Sequence, residues 1–386
     1  MPERVHAGYE ERGYRLNGFM VYPRLRALAT YEDNVRAAEM KRQSDVAFTL
    51  EPSVRAVSDW SRHQLGLAAT GAVTRFAKLD SERAETFNVR GEGRYDVGDE
   101  VRLFGYASYR RDVERRSAPG ALRNSLRPAA YNTATVGTQL TWQGTRLRLS
   151  ANASAARIDY ADITRLDGQV FDSRELDRKL YQGGVRADYA VTPNMAVLVT
   201  GSLAKIDYDL PPQSLTIDRS TRRVEILAGV SFEFTDLLRG ELAVGYIDQD
   251  FRVGGLSGFS GFGGRAGLEY YPTRLTSIRL DASRTIQDAG NPLAPSYRRT
   301  RVGVRVDHEL LRQVLLTGVA DYESARFELP LRTERRPHFG FSGQYLVSRH
   351  ATLFARYDHL RVTSRPAANG RRFTDNILSV GMLLKP

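Results

Sequence analysis

Six histidines are the first candidates for chemistry: His6, His63, His308, His338, His350 and His359. A nucleophilic triad needs a hydroxyl, an imidazole and a carboxylate within hydrogen-bond reach. Asp307 and His308 are chain neighbours, but successive side chains of a strand point to opposite faces, so they form no dyad. His63 and His350 fall at turns, and no Ser-His-Asp set assembles from local spacing. The chain has no cysteine, which excludes thiolate catalysis, thiolate metal sites and disulfides. Gly254-Gly255 and the run from Gly258 to Gly264 resemble a phosphate-cradling loop, but no Lys-Ser/Thr pair and no helix follow. They read as loop and strand glycines. The expectation is a protein that is not an enzyme, with no cofactor and no metal.

The arginines are the more informative residues. Lys and Arg number 56 against 45 Asp and Glu, giving a formal charge of +11. Such a balance invites a nucleic-acid reading. However, the arginines are spread along the whole chain and alternate with apolar residues, and no basic helix or patch appears. The alternation assigns one face to Arg24, Arg26, Arg55, Arg90, Arg94, Arg148, Arg186, Arg265, Arg279, Arg305 and Arg356. The same face takes Glu51, Glu92, Asp188, Glu225, Glu233, Glu269, Asp281, Asp307, Asp321 and Asp358. Turning an Arg toward a bilayer midplane would cost about 2–4 kcal/mol, so these side chains are expected to face water. Two uses compete. Arginines and acids can pair across neighbouring strands and hold a wall together, or unpaired arginines can line a constriction and draw anions through.

The elements that would position such a face are strands. Segments of roughly 10–14 residues alternate apolar and polar from end to end. Leu147, Leu149, Ala151 and Ala153 alternate with Arg146, Arg148, Ser150 and Asn152. Val224, Ile226, Ala228, Val230, Phe232 and Phe234 alternate with Glu225, Gly229, Ser231 and Glu233. A helix would scatter these charges around every face, whereas a strand separates them from the apolar set. Mean hydropathy is −0.41, and no apolar stretch approaches the ~20 residues of a spanning helix. A barrel has no such requirement, because only alternate residues meet lipid.

Counting segments predicts an all-β, transmembrane, antiparallel up-and-down barrel of about 18 strands, within a range of 16–18. Its connections alternate short and long. The long set includes Glu32–Ser44, Val113–Ala130, Ala161–Arg178, Asp288–Ser296, Glu328–Arg336 and Ser364–Asp375. Of these, Val113–Ala130 and Ala161–Arg178 are the best candidates to fold inward as a plug or constriction. An even strand count puts both termini at the short-turn, periplasmic side. Residues 1–17 are then a periplasmic segment and 18–386 the barrel with long extracellular loops. A barrel must be exported, and the polar stretch Met1–Gly18 has no apolar leader core, so the chain reads as a mature or truncated form.

Three stretches carry a family likeness. The first is Pro23-Arg24-Leu25 running into Tyr31-Glu32-Asp33-Asn34-Val35. The second is Ser44-Asp45, then Glu51-Pro52-Ser53 and Ser58-Asp59-Trp60-Ser61-Arg62-His63. The third is Asp307-His308-Glu309-Leu310-Leu311-Arg312. In these the chain resembles the putative β-barrel porin 2 family of outer-membrane proteins, over essentially the whole barrel. The resemblance implies fold and location, with no defined substrate and no catalytic residues. The expected function is a porin-like channel for passive passage of small polar solutes, anions among them. Its expected partners are outer-membrane lipid, lipopolysaccharide and the solute, with no nucleic acid. The alternatives are a conduit for export of an exopolysaccharide, or a non-conducting structural barrel.

Overall fold

The computed structural model describes residues 8–122, 125–210, 217–253, 256, 258–291, 294–328, 330–366 and 370–386. Alternation of apolar and polar residues has one outcome throughout, a closed antiparallel barrel of 18 strands. The first nine strands are β1 (Phe19–Glu32), β2 (Asp45–Ser58), β3 (Gln64–Phe76), β4 (Ala84–Val97), β5 (Val101–Val113), β6 (Ala130–Gln143), β7 (Leu147–Tyr160), β8 (Arg178–Thr192) and β9 (Met195–Tyr208). The second nine are β10 (Thr221–Thr235), β11 (Leu238–Phe251), β12 (Phe259–Thr273), β13 (Thr276–Asn291), β14 (Ala294–Leu311), β15 (Val314–Glu328), β16 (Leu331–Leu346), β17 (Ala351–Arg365) and β18 (Arg372–Leu384). Each strand pairs with the next, and β18 closes onto β1 from Leu25↔Leu384 to Glu32↔Ile377. Closure removes sheet edges and satisfies the backbone without water, the condition for spanning a bilayer with strands. No described helix is long and apolar enough to cross a membrane.

The register separates two faces. Leu67, Val89, Leu140, Val199, Val244, Val302, Phe341 and Val380 are all exposed on the outer face. The chain ahead of β1 is partly knitted to the wall, because Tyr14–Leu16 pairs back onto Phe19–Val21. Both ends of the barrel chain lie at the short-turn end, where Lys385 N donates to the His350 carbonyl.

Two expected long connections are strand instead. β13 runs to Asn291 and β14 starts at Ala294, so the expected loop Asp288–Ser296 is strand on both sides, with Asp288 opposite Ser296 and Asn291 opposite Ala294; residues 292–293 lie outside the described residues. Likewise β16 starts at Leu331, inside the expected loop Glu328–Arg336. In Arg332-Thr333-Glu334-Arg335-Arg336 both faces are polar, so the hydrophobic period vanishes although the strand persists. What holds it is charge: Glu334 is fully buried between Arg332 (3.2 Å) and Arg336 (3.5 Å).

The wall is creased at β10–β11. A Cβ on Gly229 would overlap the Leu242 carbonyl, and one on Gly245 would overlap that of Ile226. Beneath the crease, Leu198, Leu227 and Ala243 pack together. It brings β8 close enough to β11 for Arg186 to bond Glu241 at 2.9 Å. Overpacking of this kind costs about 1–3 kcal/mol. Gly229→Ala and Gly245→Ala are therefore each expected to lower the temperature at which the barrel loses its compact mobility on unboiled gels. An unchanged transition in both would mean the crease needs no glycine.

Candidate functional site

The register places all of the sequence-predicted charged residues on the face opposite the exposed apolar set. Most are gathered into ion-paired groups. Arg24 pairs with Glu11. Arg26 lies over the Phe354 ring and Arg55 over Tyr22. Arg90 pairs with Glu92 at 2.8 Å and covers Tyr106. Arg94 and Arg102 share Asp96. Arg148 and Arg186 share Asp188, while Arg186 and Arg265 share Glu241. Arg239 and Arg279 share Glu269, to which the Tyr271 hydroxyl donates at 2.7 Å. Arg305 pairs with Asp307 at 2.8 Å. Glu51, Glu225, Glu233 and Asp281 enter no ion pair among the described residues.

Several of these pairs join residues two apart on one strand rather than neighbouring strands, contrary to expectation. Arg90–Glu92, Arg94–Asp96, Arg186–Asp188, Arg305–Asp307 and Arg356–Asp358 all follow the pattern Arg-x-acid. The pleat puts residues i and i+2 on one face, within reach of each other.

The pairs are lopsided. The Arg148 side chain is 45% exposed and Asp188 6%. Arg356 is 52% exposed and Asp358 15%. Arg305 is 47% exposed and Asp307 26%. Short carboxylates stay against the wall, and long guanidiniums reach past them. Arg90–Glu92 reverses the order, and Arg186 is about as covered as Glu241. The two uses weighed for these residues therefore coexist: pairing fixes the side chains, and the surface left to solvent is mainly guanidinium.

One loop narrows the interior. Residues 114–122 leave β5 and cross to the far wall, where three of their carbonyls are held. Arg371 donates to the carbonyls of Arg116 (2.7 Å), Ser117 (3.3 Å) and Ala118 (2.5 Å). Arg336 donates to Ser117 at 2.5 Å. On the near side Arg116 bonds the buried Glu82 at 2.9 and 3.0 Å. The second candidate, the loop Ala161–Asp177, supports the first through Ile163 and Leu176, which pack on Ala129 and Leu122.

Between the loop and the wall lies a cavity of about 780 Å³. One side presents Glu114, Arg115 and Arg116; the other presents a relay across β14–β17. In that relay Arg301 bonds Asp321 at 3.1 Å. His338 Nδ1 meets Asp321 at 3.2 Å, and its Nε2 meets Asp358 at 2.9 Å. Arg356 bonds Asp358 at 2.8 Å. The imidazole donates to both carboxylates only when doubly protonated. Sequence reasoning found Asp321, Asp358 and Arg356 but missed Arg301, His338, Arg336 and Arg371. Parity alone could have found Arg301, which shares the face of Arg305. The role of Arg371 depends on a loop 253–255 residues away in the chain.

Burial pushes the Glu114 carboxyl up to about 7, while Arg178, the Leu122 N–H, Arg371 and Arg116 pull it back. An acid whose proton is held more tightly in the docked loop favours docking below its free value of 4.5, and that advantage is lost as pH rises through about 7. The difference is worth on the order of 3 kcal/mol. The fraction of molecules with the loop undocked is thus expected to rise between pH 5 and pH 8. The rate of proteolysis within the loop, followed against pH, checks this: Glu114→Gln should flatten the pH response, and an unaltered response in that variant would remove Glu114 from the mechanism.

Across residues 6–386 the chain matches a family model described as putative beta-barrel porin 2. No curated protein matches it. Among solved structures, Pseudomonas aeruginosa OccK2 (OpdF) superposes with a TM-score of 0.50 at 13% identity, over 97% of this chain and 99% of that one. The same protein in complex with glucuronate gives 0.50 at 13%, over 97% and 100%. Acinetobacter baumannii OccAB3 gives 0.50 at 10%, over 96% and 100%. At these identities the likeness shows the fold alone.

Proposed function

The chain belongs to the putative β-barrel porin 2 family and is an outer-membrane, porin-like barrel, and from that premise we propose that it is a water-filled channel for passive passage of small polar solutes with a preference for anions. The observation that carries this is the lopsided exposure of the lumen pairs: acids lie against the wall and guanidiniums point into the water. Field lines focused between low-dielectric walls raise the local concentration of the opposite charge. A small carboxylate is the natural test solute, since Arg grips carboxylates in a two-pronged fork. OccK2, similar in fold, was solved with glucuronate.

The inturned loop weighs against a conduit for a long polysaccharide, because its three held carbonyls would have to be released for each chain passed. The cavities of about 780 and 560 Å³ beside the wall weigh against a solid plug. The long-loop rim is read as extracellular, with both termini periplasmic. The deciding experiment is planar-bilayer recording in a KCl gradient. The reading requires steps of ohmic conductance, a reversal potential on the anion side, and block by millimolar glucuronate but not by a cationic sugar of the same size. Silence in the bilayer would return the structural-barrel reading, and cation selectivity would overturn the preference.

A further inference from the structure

The outer face carries a second set of arginines that the channel does not use. On β13–β18, near the long-loop rim, these are Arg284, Arg298, Arg326, Arg335, Arg361 and Arg372. All six have the parity of the lipid-facing residues on their strands: Leu280, Val302, Tyr322, Phe339, Tyr357 and Leu378, which are exposed. The register links them in one oblique row. Arg284 stands opposite Thr300, two residues from Arg298. Arg298 stands directly opposite Arg326. Arg326 faces Thr333, two residues from Arg335. Arg335 faces Thr363, two residues from Arg361, and Thr363 in turn faces Arg372. Each arginine is therefore opposite the next or one diagonal step from it, a spacing of about 5–8 Å.

Five of the six side chains make no hydrogen bond or ion pair among the described residues; that of Arg326 alone has a partner, Glu328 at 3.3 Å. The rest of the rim is different. There most outward cations are matched: Arg157 with Asp159, Lys179 with Asp209, Lys205 with Asp207, and Arg75 with Glu85, while Arg111 and Arg222 stand singly and not in a row. Like charges set directly opposite on a sheet are destabilising, so the Arg298↔Arg326 pair wants an anion between its members. Just below the row lies the apolar band, with Tyr322, Phe339 and Tyr357 exposed. Four residues separate Tyr322 from Arg326, a rise of about 13 Å from an interfacial ring toward the headgroup level.

We propose that this row is a binding surface for the phosphate groups of an outer-leaflet glycolipid, the lipid A portion of lipopolysaccharide. Its acyl chains lie on the apolar band while its phosphates sit between neighbouring guanidiniums. One phosphate accepts from two arginines, each contributing a planar fork. The proposal rests on the reading that the long-loop rim faces outward, since only that leaflet presents this lipid.

The test uses the whole barrel in detergent, with bound lipid counted by native mass spectrometry against bis-phosphorylated lipopolysaccharide. Wild type is expected to hold the lipid. The triple variant Arg298→Gln, Arg335→Gln, Arg361→Gln is expected to bind roughly tenfold or more weakly. A triple variant of equal charge change inside the lumen, Arg265→Gln, Arg279→Gln, Arg305→Gln, should keep wild-type affinity. Lipid stripped of its phosphates should bind poorly to all three, and inorganic phosphate should not compete at equal concentration. Compact mobility on unboiled gels checks that each variant is folded. The inference is overturned if wild type holds no lipid, if the rim triple binds as wild type does, if the lumen triple loses as much, or if phosphate-free lipid binds equally well. Orientation is read separately, by labelling Asp167→Cys in intact cells. A lack of surface labelling would overturn the outward rim without bearing on binding in detergent. Conductance of the rim triple should match wild type, so failure of the channel reading stays distinguishable from failure here.

Discussion

Replacing Arg336 and Arg371 together with alanine is expected to raise single-channel conductance about twofold or more, because the narrowest part of a pore sets its resistance. These two guanidiniums hold the crossing loop through the carbonyls of Arg116, Ser117 and Ala118. Hydrogen bonds from charged donors are worth about 1.5–3 kcal/mol each, so losing them removes more than a short loop can recover from its own contacts. Glu334 keeps Arg332 as a partner, which leaves the β16 wall closed. Arg116→Ala attacks the same loop from its other anchorage, at Glu82, and should raise conductance or gating noise in the same direction. Records in which both variants conduct as wild type does would mean that the loop is not the constriction.

The second large effect concerns charge. Arg148→Glu, Arg305→Glu and Arg356→Glu in one chain change the lumen by about six charges at positions half-exposed to the pore water. Each loses a guanidinium that now overhangs a less exposed acid. The anion-to-cation permeability ratio should fall about tenfold at low salt and much less at 1 M, where screening shrinks to about 3 Å. Arg186 still holds Asp188 and His338 still holds Asp358, so the wall has counter-ions left with which to fold. A reversal potential that stays where it was would exclude these side chains from the conduction path.

Most of the barrel could be read from sequence because its two faces differ so strongly. Val224 through Phe234 announce a lipid face by themselves, and parity then assigns Glu225 and Glu233 to the other side. Where both faces are polar the signal disappears, which is why Arg332–Arg336 passed for a loop. The site was less legible than the wall. Arg148 and Arg356 follow from alternation, but the relay through His338 depends on which strands are neighbours at a given height, a matter of register rather than pattern. Arg371 and Glu114 act across the lumen, and nothing local in the chain marks either one.

The Arg-x-acid pairs on single strands have a bearing on how such a wall can grow. A strand that brings its own counter-ion is electrically self-sufficient before it meets a neighbour. Hairpins built this way can be duplicated, deleted or exchanged without leaving an orphan charge at the seam. Chimeras spliced between β14 and β17 would cut the relay that runs through His338. Those spliced between β4 and β5 would cut a single ion pair, Arg102–Asp96, along with the ring contacts of Tyr106 and Tyr109, and that seam is where barrels of different circumference should be easiest to make from this chain.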